Sequence, residues 1–507
     1  MNKTINILIS RGFIIIIGLI LQITFFSLVF TVFKNHKELL IFLMSLLSIY
    51  LTLKIIISDI YPEHKIAWII FMFIMPITGG MFYLLYGKIT FSKKKINLYK
   101  RIIDLKEKEI NQLTLPNLDE LNEFQRQAQY LYDASGSPYF SNTSVKYLKL
   151  GEVMLEELLV ELSKAKKFIF IESFIIEEGK MWGQIEEVLI KKAKEGVLIR
   201  VLFDDAGCLL TLPSNFVSRL KQQNINCVIF NKITSLNNAK FNNRDHRKII
   251  VIDGNVGFNG GINLADEYIN HVVKHGHWKD TAVMLKGEAV YGLTLLFLEM
   301  WMIETNELEN ISKYKPTISE KKDGIIQPFG DNPMDHESVG ETIYMSILGQ
   351  AQKYVYITSP YLIITSQMER ALKNAAKAGV EVVICLPKHP DKKFVQFLSR
   401  SYYRSLLNSG VKIYEYTPGF IHSKMFITDD NKAIVGTINL DYRSLDLHYE
   451  CGTFIANCSV IKDIKEDYLD IIKVSEEVTL NSPIIKKQLS FFQFIILAIL
   501  KTFSPLL

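Results

Sequence analysis

His246, Lys248 and Asp253 recur as His422, Lys424 and Asp429. Residues 246–263 read HRKIIVIDGNVGFNGGIN and residues 422–439 read HSKMFITDDNKAIVGTIN, so a Gly (260, 436) and an Asn (263, 439) also repeat at fixed distances. These residue types suit phosphorus chemistry. A neutral imidazole is a competent nucleophile, and an ordinary pKa of about 6.5 leaves much of it neutral near pH 7. Covalent catalysis then divides one displacement into two easier ones. Lys248, Lys424, Asn263 and Asn439 supply charge and donors where phosphoryl oxygens gain negative charge. A second His protonates the leaving alkoxide and deprotonates the incoming alcohol. One copy lacks that partner. Two copies make a complete centre that calls for no metal and no cofactor. Asp253 and Asp429 stand in the turn-forming strings Asp-Gly-Asn and Asp-Asp-Asn, so they read equally as turn formers and as participants in the chemistry.

Local structure must hold these groups. Each His-x-Lys precedes an apolar run, Ile249 to Ile252 and Met425 to Thr428, that reads as a buried strand. Strand side chains repeat with period two, which predicts that His246 and Lys248 share a face, as do His422 and Lys424. The Asp residues then begin hairpin turns, and return strands run through Val256–Phe258 and Ala433–Val435. Gly260, Gly261 and Gly436 leave room for close backbone approach. The only departure between the motif tails is Gly436-Thr437 where the first copy has Gly260-Gly261.

The repetition extends outward. Residues 167–175 parallel 354–362, and 196–203 parallel 379–386, each pair separated by an amphipathic stretch. Alternating strands and helices predict an α/β fold with a mixed or parallel sheet. Two similar halves, 136–315 and 316–482, are expected to pack as a pseudo-dimer with paired half-sites at the interface. The polar, Lys-rich stretch Asn306 to Asn332 reads as the linker between them.

The doubled motif resembles the phospholipase D superfamily and, within it, the bacterial cardiolipin synthases, over nearly the whole chain. The resemblance implies two phospholipase D-like halves sharing one site, with His246 as nucleophile and His422 as general acid/base. It also implies that a carboxylate downstream of each motif orients that motif's imidazole, which points to Asp280 and Glu450. The reaction implied joins two phosphatidylglycerols into cardiolipin and glycerol through a phosphohistidine. A phospholipase D-type hydrolase or a phosphatidylserine synthase of the same superfamily would share the catalytic residues. The nearby His271, His275 and His277 lack the Cys or carboxylate spacing of a zinc signature.

The ends of the chain point to a bilayer. Gly12–Phe33, Leu39–Ser58 and Ala67–Gly87 are apolar runs, the third interrupted by Pro76 and Gly79-Gly80, and they predict two to three transmembrane helices in 1–90. Lys88, Lys93, Lys94, Lys95, Lys100 and Arg101 follow within a basic juxtamembrane linker, 91–135, which predicts a multi-pass bacterial membrane protein with cytoplasmic catalytic halves. The tail, 483–507, ending Ser504-Pro505-Leu506-Leu507, reads as a partly amphipathic helix at the membrane surface. The formal charge of +5 suits an anionic membrane surface, and no basic patch interleaved with aromatics suggests nucleic acid. Cys208, Cys227, Cys385, Cys451 and Cys458 are scattered and odd in number, as expected of reduced core residues.

Overall fold

The computed structural model describes residues 11–87, 91–117, 124–233, 243–335 and 337–506. Residues 1–10, Lys88 and Leu507, each part of a reading made from the sequence, lie outside these. The chain forms two compact units, one of residues 1–91, 233–241 and 489–507, the other of 92–232 and 242–488.

The larger unit contains the same sheet built twice. The first half supplies β1 (Thr143–Leu148), β2 (Phe168–Ser173), β3 (Leu198–Asp204), β4 (Asn226–Phe230), β5 (Lys248–Ile252), β6 (Val256–Gly260), β7 (His277–Lys279) and β8 (Ala282–Gly287). The second supplies β9 (Ile325–Asp331), β10 (Tyr354–Thr358), β11 (Leu362–Ile363), β12 (Glu381–Pro387), β13 (Lys412–Tyr416), β14 (Gly419–Ile421), β15 (Met425–Thr428), β16 (Lys432–Gly436), β17 (Leu440–Asp441), β18 (Glu450–Ala456) and β19 (Ser475–Val478). The sheet orders are β1-β8-β6-β5-β2-β3-β4 and β19-β13-β12-β10-β15-β16-β18-β9. Read from opposite ends they match strand for strand, with β19 as the one addition. In each, three parallel strands (β2, β3, β4; β10, β12, β13) adjoin an antiparallel motif hairpin (β5-β6; β15-β16).

The motif strands are buried along their length, so the apolar runs are core strands. One continuous apolar core draws Phe170 and Val251 from the first sheet and Val383, Met425 and Ile427 from the second. Against the first sheet and β9 packs the helix Val290–Thr305, buried from Val290 to Ile303. A helix apolar all round belongs in an interior. Its Phe297 stacks on Phe170 at 4.6 Å, and its buried carboxylate, Glu299, meets Lys106 at 2.5 Å.

Two sequence readings change here. The supposed linker 306–332 ends in β9, a fully buried strand paired with β18, because its Ile325-Ile326-Gln-Pro-Phe329 segment is apolar enough to close the second sheet. The supposed basic linker 91–135 contains the helices Lys93–Ile110 and Gln125–Ser135. The first buries Leu98, Ile102 and Ile110 at helical spacing and exposes Lys93, Lys94, Lys100 and Lys108, while Lys95 pairs with Glu304 at 3.0 Å.

The smaller unit contains helices Arg11–Thr31, Lys37–Ile57, Pro62–Ile74, Pro76–Tyr86 and Phe491–Phe503. Among the described residues one helix, Lys34–Ile57 with its 3-10 lead-in, is long and apolar enough to cross a membrane. Multiple spans are therefore not established. The third run is two helices of 13 and 11 residues, and at about 1.5 Å per residue neither alone reaches across a roughly 30 Å core. Pro76 causes the break, since it lacks the amide that would continue the ladder. A Cβ at Gly79 would lie 2.9 Å from the Met72 backbone, so only glycine admits this close return.

Candidate active site

His246 and His422 stand just before β5 and β15, where each chain segment leaves its own half to pair with the other. His246 donates its backbone N–H to Tyr449 O at 2.9 Å, and Tyr449 donates back to Arg244 O at 2.8 Å. His422 donates its N–H to Lys279 O at 2.7 Å, continuing the parallel pairing of β14 with β7. This exchange fixes the side chains. His246 Nδ1 lies 2.9 Å from both Glu450 oxygens, and His422 Nδ1 lies 2.6 Å from Asp280 Oδ2. Each downstream carboxylate thus serves the imidazole of the opposite half. That crossing has no signature along the chain.

A carboxylate on Nδ1 fixes the tautomer and leaves the lone pair on Nε2. Lys424 Nζ also approaches His422 Nδ1, at 2.8 Å, and contacts the His422 carbonyl oxygen. Nδ1 cannot donate to Asp280 and accept from Lys424 at once. Asp280 is held below the ordinary carboxylate range because Lys424 and His422 outweigh the effect of its burial. It is therefore the acceptor, and Lys424 donates to the carbonyl. Lys248 likewise donates to His246 O at 2.6 Å. The shared face expected of each His and Lys becomes a local clamp.

Burial, reinforced by Lys248, Lys424 and His422, drives His246 well below its ordinary pKa. Burial and Lys424 push His422 down to about 4. Both rings are neutral at pH 7. Burial also lowers Lys248 to about 8 and Lys424 to about 7. The fields of Lys248 and Lys424 reach the histidines of both halves, so the doubled motif forms one electrostatic cluster. An anionic phosphodiester would supply the negative charge that this cluster lacks.

Burial raises Glu450 to about 7, yet it accepts from Ser444 Oγ, Thr437 Oγ1 and His246. Three donors converging on one carboxylate define it as an acceptor despite its burial. Thr437 is the residue that broke the repeat. At the matching place Gly261 has no side chain, and a Cβ there would lie 2.2 Å from Asp280 Oδ1.

Asp253 and Asp429 are not in this cluster. Asp253 begins the β5–β6 turn with φ 54°, and its carboxylate accepts the backbone N–H groups of Lys166, Lys167 and Phe168 at 2.7–2.9 Å. Asp429 has φ 52° and accepts those of Gln352, Lys353 and Tyr354 at 2.8–3.0 Å. At about 3.3 Å per residue, β5 alone separates Lys248 from that turn by about 13 Å. These aspartates tie the hairpin tip to the start of β2 or β10, and the reading of them as catalytic is replaced by a scaffold role. Asn263 is also engaged: it accepts from Ile175 N at 3.0 Å and donates to Tyr268 OH at 2.6 Å. Asn439 Oδ1 is buried without a hydrogen-bond partner.

Sequence reasoning missed Arg247. It is 1% exposed and donates to the carbonyls of Glu450, Leu296 and Asp331, joining the halves beneath the site. Its counterpart, Ser423, bonds Thr358 Oγ1 at 2.9 Å instead. His448, two residues before Glu450, is a second residue the sequence did not single out, and its ring lies 5.9 Å from that of His246. Of the histidines set aside as metal ligands, His277 lies 3.0 Å from Tyr416 OH and His275 packs near Trp278 and Phe420. All five cysteines are free and buried.

Comparison with known proteins agrees with the doubled architecture. Residues 158–291 and 344–471 match the profile described as cardiolipin synthase, PLD-like domain, and residues 46–88 match a phospholipase D-nuclease N-terminal profile. An uncharacterized protein of Streptococcus mutans is 48% identical over 385 residues, 75% of this chain and 82% of that protein. A cardiolipin synthase of Alkalihalophilus pseudofirmus is 33% identical over 503 residues, 96% of this chain and 99% of its own. The crystal structure of a phosphatidylserine synthase from Haemophilus influenzae shares the fold, with a TM-score of 0.57, 14% identity, and coverage of 75% of this chain and 98% of that one.

Proposed function

The chain belongs to the cardiolipin synthase family of phospholipase D-like enzymes, and from that premise we propose that it transfers a phosphatidyl group from one phosphatidylglycerol to another. His246 Nε2 attacks the phosphorus of the first lipid. The P–N bond forms, the bond from phosphorus to the glycerol oxygen breaks, and His422 protonates the departing glycerol. His422 then takes the proton from a terminal hydroxyl of the second phosphatidylglycerol, whose oxygen attacks the phosphohistidine. The P–N bond breaks and cardiolipin is released. Phosphodiester bonds are conserved, so no nucleotide is consumed.

The observation that carries this reading is the crossed pairing of each imidazole with the other half's carboxylate, which makes each half incomplete alone. The unequal carboxylates favour His246 as nucleophile. Asp280, held in its ionised form, stabilises positive charge on His422, as an acid/base requires. Glu450, raised to about 7, exerts a weaker pull and leaves His246 neutral. His422 is deprotonated in the free enzyme above pH about 4; the negative charge of the bound phosphodiester offsets the two lysines, and His422 takes up its catalytic proton from solvent on binding.

The same proposal places the enzyme in the bacterial cell membrane with its catalytic halves in the cytoplasm. Helix Lys37–Ile57 exposes Phe42, Leu46, Ile49 and Ile57, and helix Phe491–Phe503 buries none of its residues and exposes Phe491, Phe492 and Phe494. Such apolar surface suits lipid. Lys93, Lys94, Lys95, Lys100 and Arg101 favour the cytoplasmic side.

The test is purified protein in vesicles of labelled phosphatidylglycerol alone. Cardiolipin with glycerol release is expected. Phosphatidic acid as the main product would make the enzyme a hydrolase, and a requirement for a nucleotide-activated lipid with serine would make it a phosphatidylserine synthase.

A further inference from the structure

We propose that a zinc-type divalent cation binds between His246, His448 and Glu450 and switches the enzyme off by occupying its nucleophile. One ligand atom from each of these residues falls within 4.8 Å of the others. Glu450 Oε1 lies 2.9 Å from His246 Nδ1 and 3.8 Å from His448 Nδ1. Zinc bonds of 2.0–2.1 Å set tetrahedral ligand atoms about 3.3 Å apart, so these two edges bracket the required spacing. Two imidazoles and one carboxylate are a zinc-type ligand set with a fourth position left for water or a phosphoryl oxygen.

His448 has no role in the reaction proposed above, and packing does not use its polarity. Its Nε2 is buried without a hydrogen-bond partner. The repeat supplies the contrast. Two residues before the carboxylate, the first half carries Trp278, whose ring lies 5.5 Å from His422. The second half carries His448 in the equivalent place, 5.9 Å from His246. An aromatic ring suffices to pack against the motif histidine, and only at the His246 side is that ring also a metal ligand. In balance, the ion takes the place of the proton shared by His246 Nδ1 and Glu450: that proton moves to Nε2, the ring stays neutral, and the N–H···O contact becomes nitrogen–metal–oxygen. His246 then carries N–H at Nε2, where it needs a lone pair to attack phosphorus. Lys248 and Lys424 oppose the cation, so the ion is a reversible inhibitor here and not a structural centre.

Binding stands on the geometry alone, whereas inhibition rests on His246 being the nucleophile. Full-length protein in detergent, stripped with a chelator, is titrated with zinc against a chromogenic competitor while transfer is followed in parallel. One ion per chain is expected, with transfer falling as occupancy rises. His448→Asn should weaken binding by at least roughly tenfold, while His448→Cys, which restores a ligand, should keep it. X-ray absorption of the loaded wild type should show nitrogen and oxygen neighbours at about 2.0–2.1 Å. Equal affinity in wild type and His448→Asn, or no binding, would overturn the site and leave the proposed reaction standing. Full occupancy with undiminished transfer would overturn the inhibition and count against His246 as nucleophile.

Discussion

The two half-sites share a backbone plan and the motif lysine, and differ in the other residues around the imidazole. His422 sits with a short carboxylate, Asp280, beside side-chain-free Gly261 and under Trp278. His246 sits with a longer one, Glu450, which also takes hydroxyl donors from Thr437 and Ser444, and beside His448. The residue between His and Lys is a buried Arg247 in one copy and Ser423 in the other. Duplication supplied two equal frames, and the reaction needs unequal groups: a nucleophile that stays neutral and a base that accepts a proton. The difference lies in the carboxylates, held low at Asp280 and lifted to about 7 at Glu450. Because each carboxylate belongs to the other half, neither can be tuned without its partner.

The sharpest break of this comparison is at the nucleophile. His246→Ala should lower transfer by roughly 10⁴-fold or more and abolish a trappable phosphoenzyme, while His422→Ala, still able to be attacked at phosphorus by His246, should accumulate it from an activated lipid analogue. Label on His246→Ala and none on His422→Ala would exchange the roles. Next are the crossed pairs. Glu450→Gln and Asp280→Asn should each reduce kcat by about 10²- to 10⁴-fold. In double-mutant cycles Glu450→Gln should couple to substitution of His246 and Asp280→Asn to substitution of His422; coupling within each half instead would refute the crossing.

Exchanging the mismatched repeat residues asks whether the half-sites are interchangeable. Gly261→Thr drives a Cβ into the Asp280 carboxylate and should reduce transfer strongly, whereas Thr437→Gly removes one hydrogen bond to Glu450 and should cost about 1 kcal/mol in stability. Similar losses from both would show that the two environments are alike. Asp253→Ala and Asp429→Ala should behave as a matched pair, each losing about 2 kcal/mol of stability by removing the acceptor for three amides. Thermal melts and the kcat of the folded fraction separate that outcome from direct catalysis. The smallest effect concerns pH. Asp280 has a depressed folded pKa, so its stabilisation is present above the unfolded value of about 3.9 and is lost as pH falls through the folded value. Melting temperatures of Asp280→Asn should therefore fall less than those of wild type on acidification below pH about 4.

Much of the catalytic frame was legible because it is local. The apolar runs after each Lys are strands, and the Asp-Gly-Asn and Asp-Asp-Asn strings are turns, since continuous apolar burial and positive φ are written in neighbouring residues. The duplicated strand order followed from repeated segments. The parts that were not legible are long-range. Asp253 read equally as a turn former and as a participant in the chemistry until its carboxylate was found on the amides of 166–168. Asn263 reads as a phosphoryl donor from the sequence, and only the fold shows that it also accepts from Ile175 N and donates to Tyr268 OH. The 325–331 strand hid in a polar neighbourhood, and Pro76 divided an apolar run that hydropathy alone joins.

The sequence by itself determined the reacting groups, their duplication and the strands and turns that carry them, because spacing, side-chain chemistry and backbone preference act over a few residues. Only the tertiary structure decided which carboxylate meets which imidazole. Those pairs lie 204 and 142 residues apart, and nothing in a chain's local order specifies a contact that two packed halves must create together.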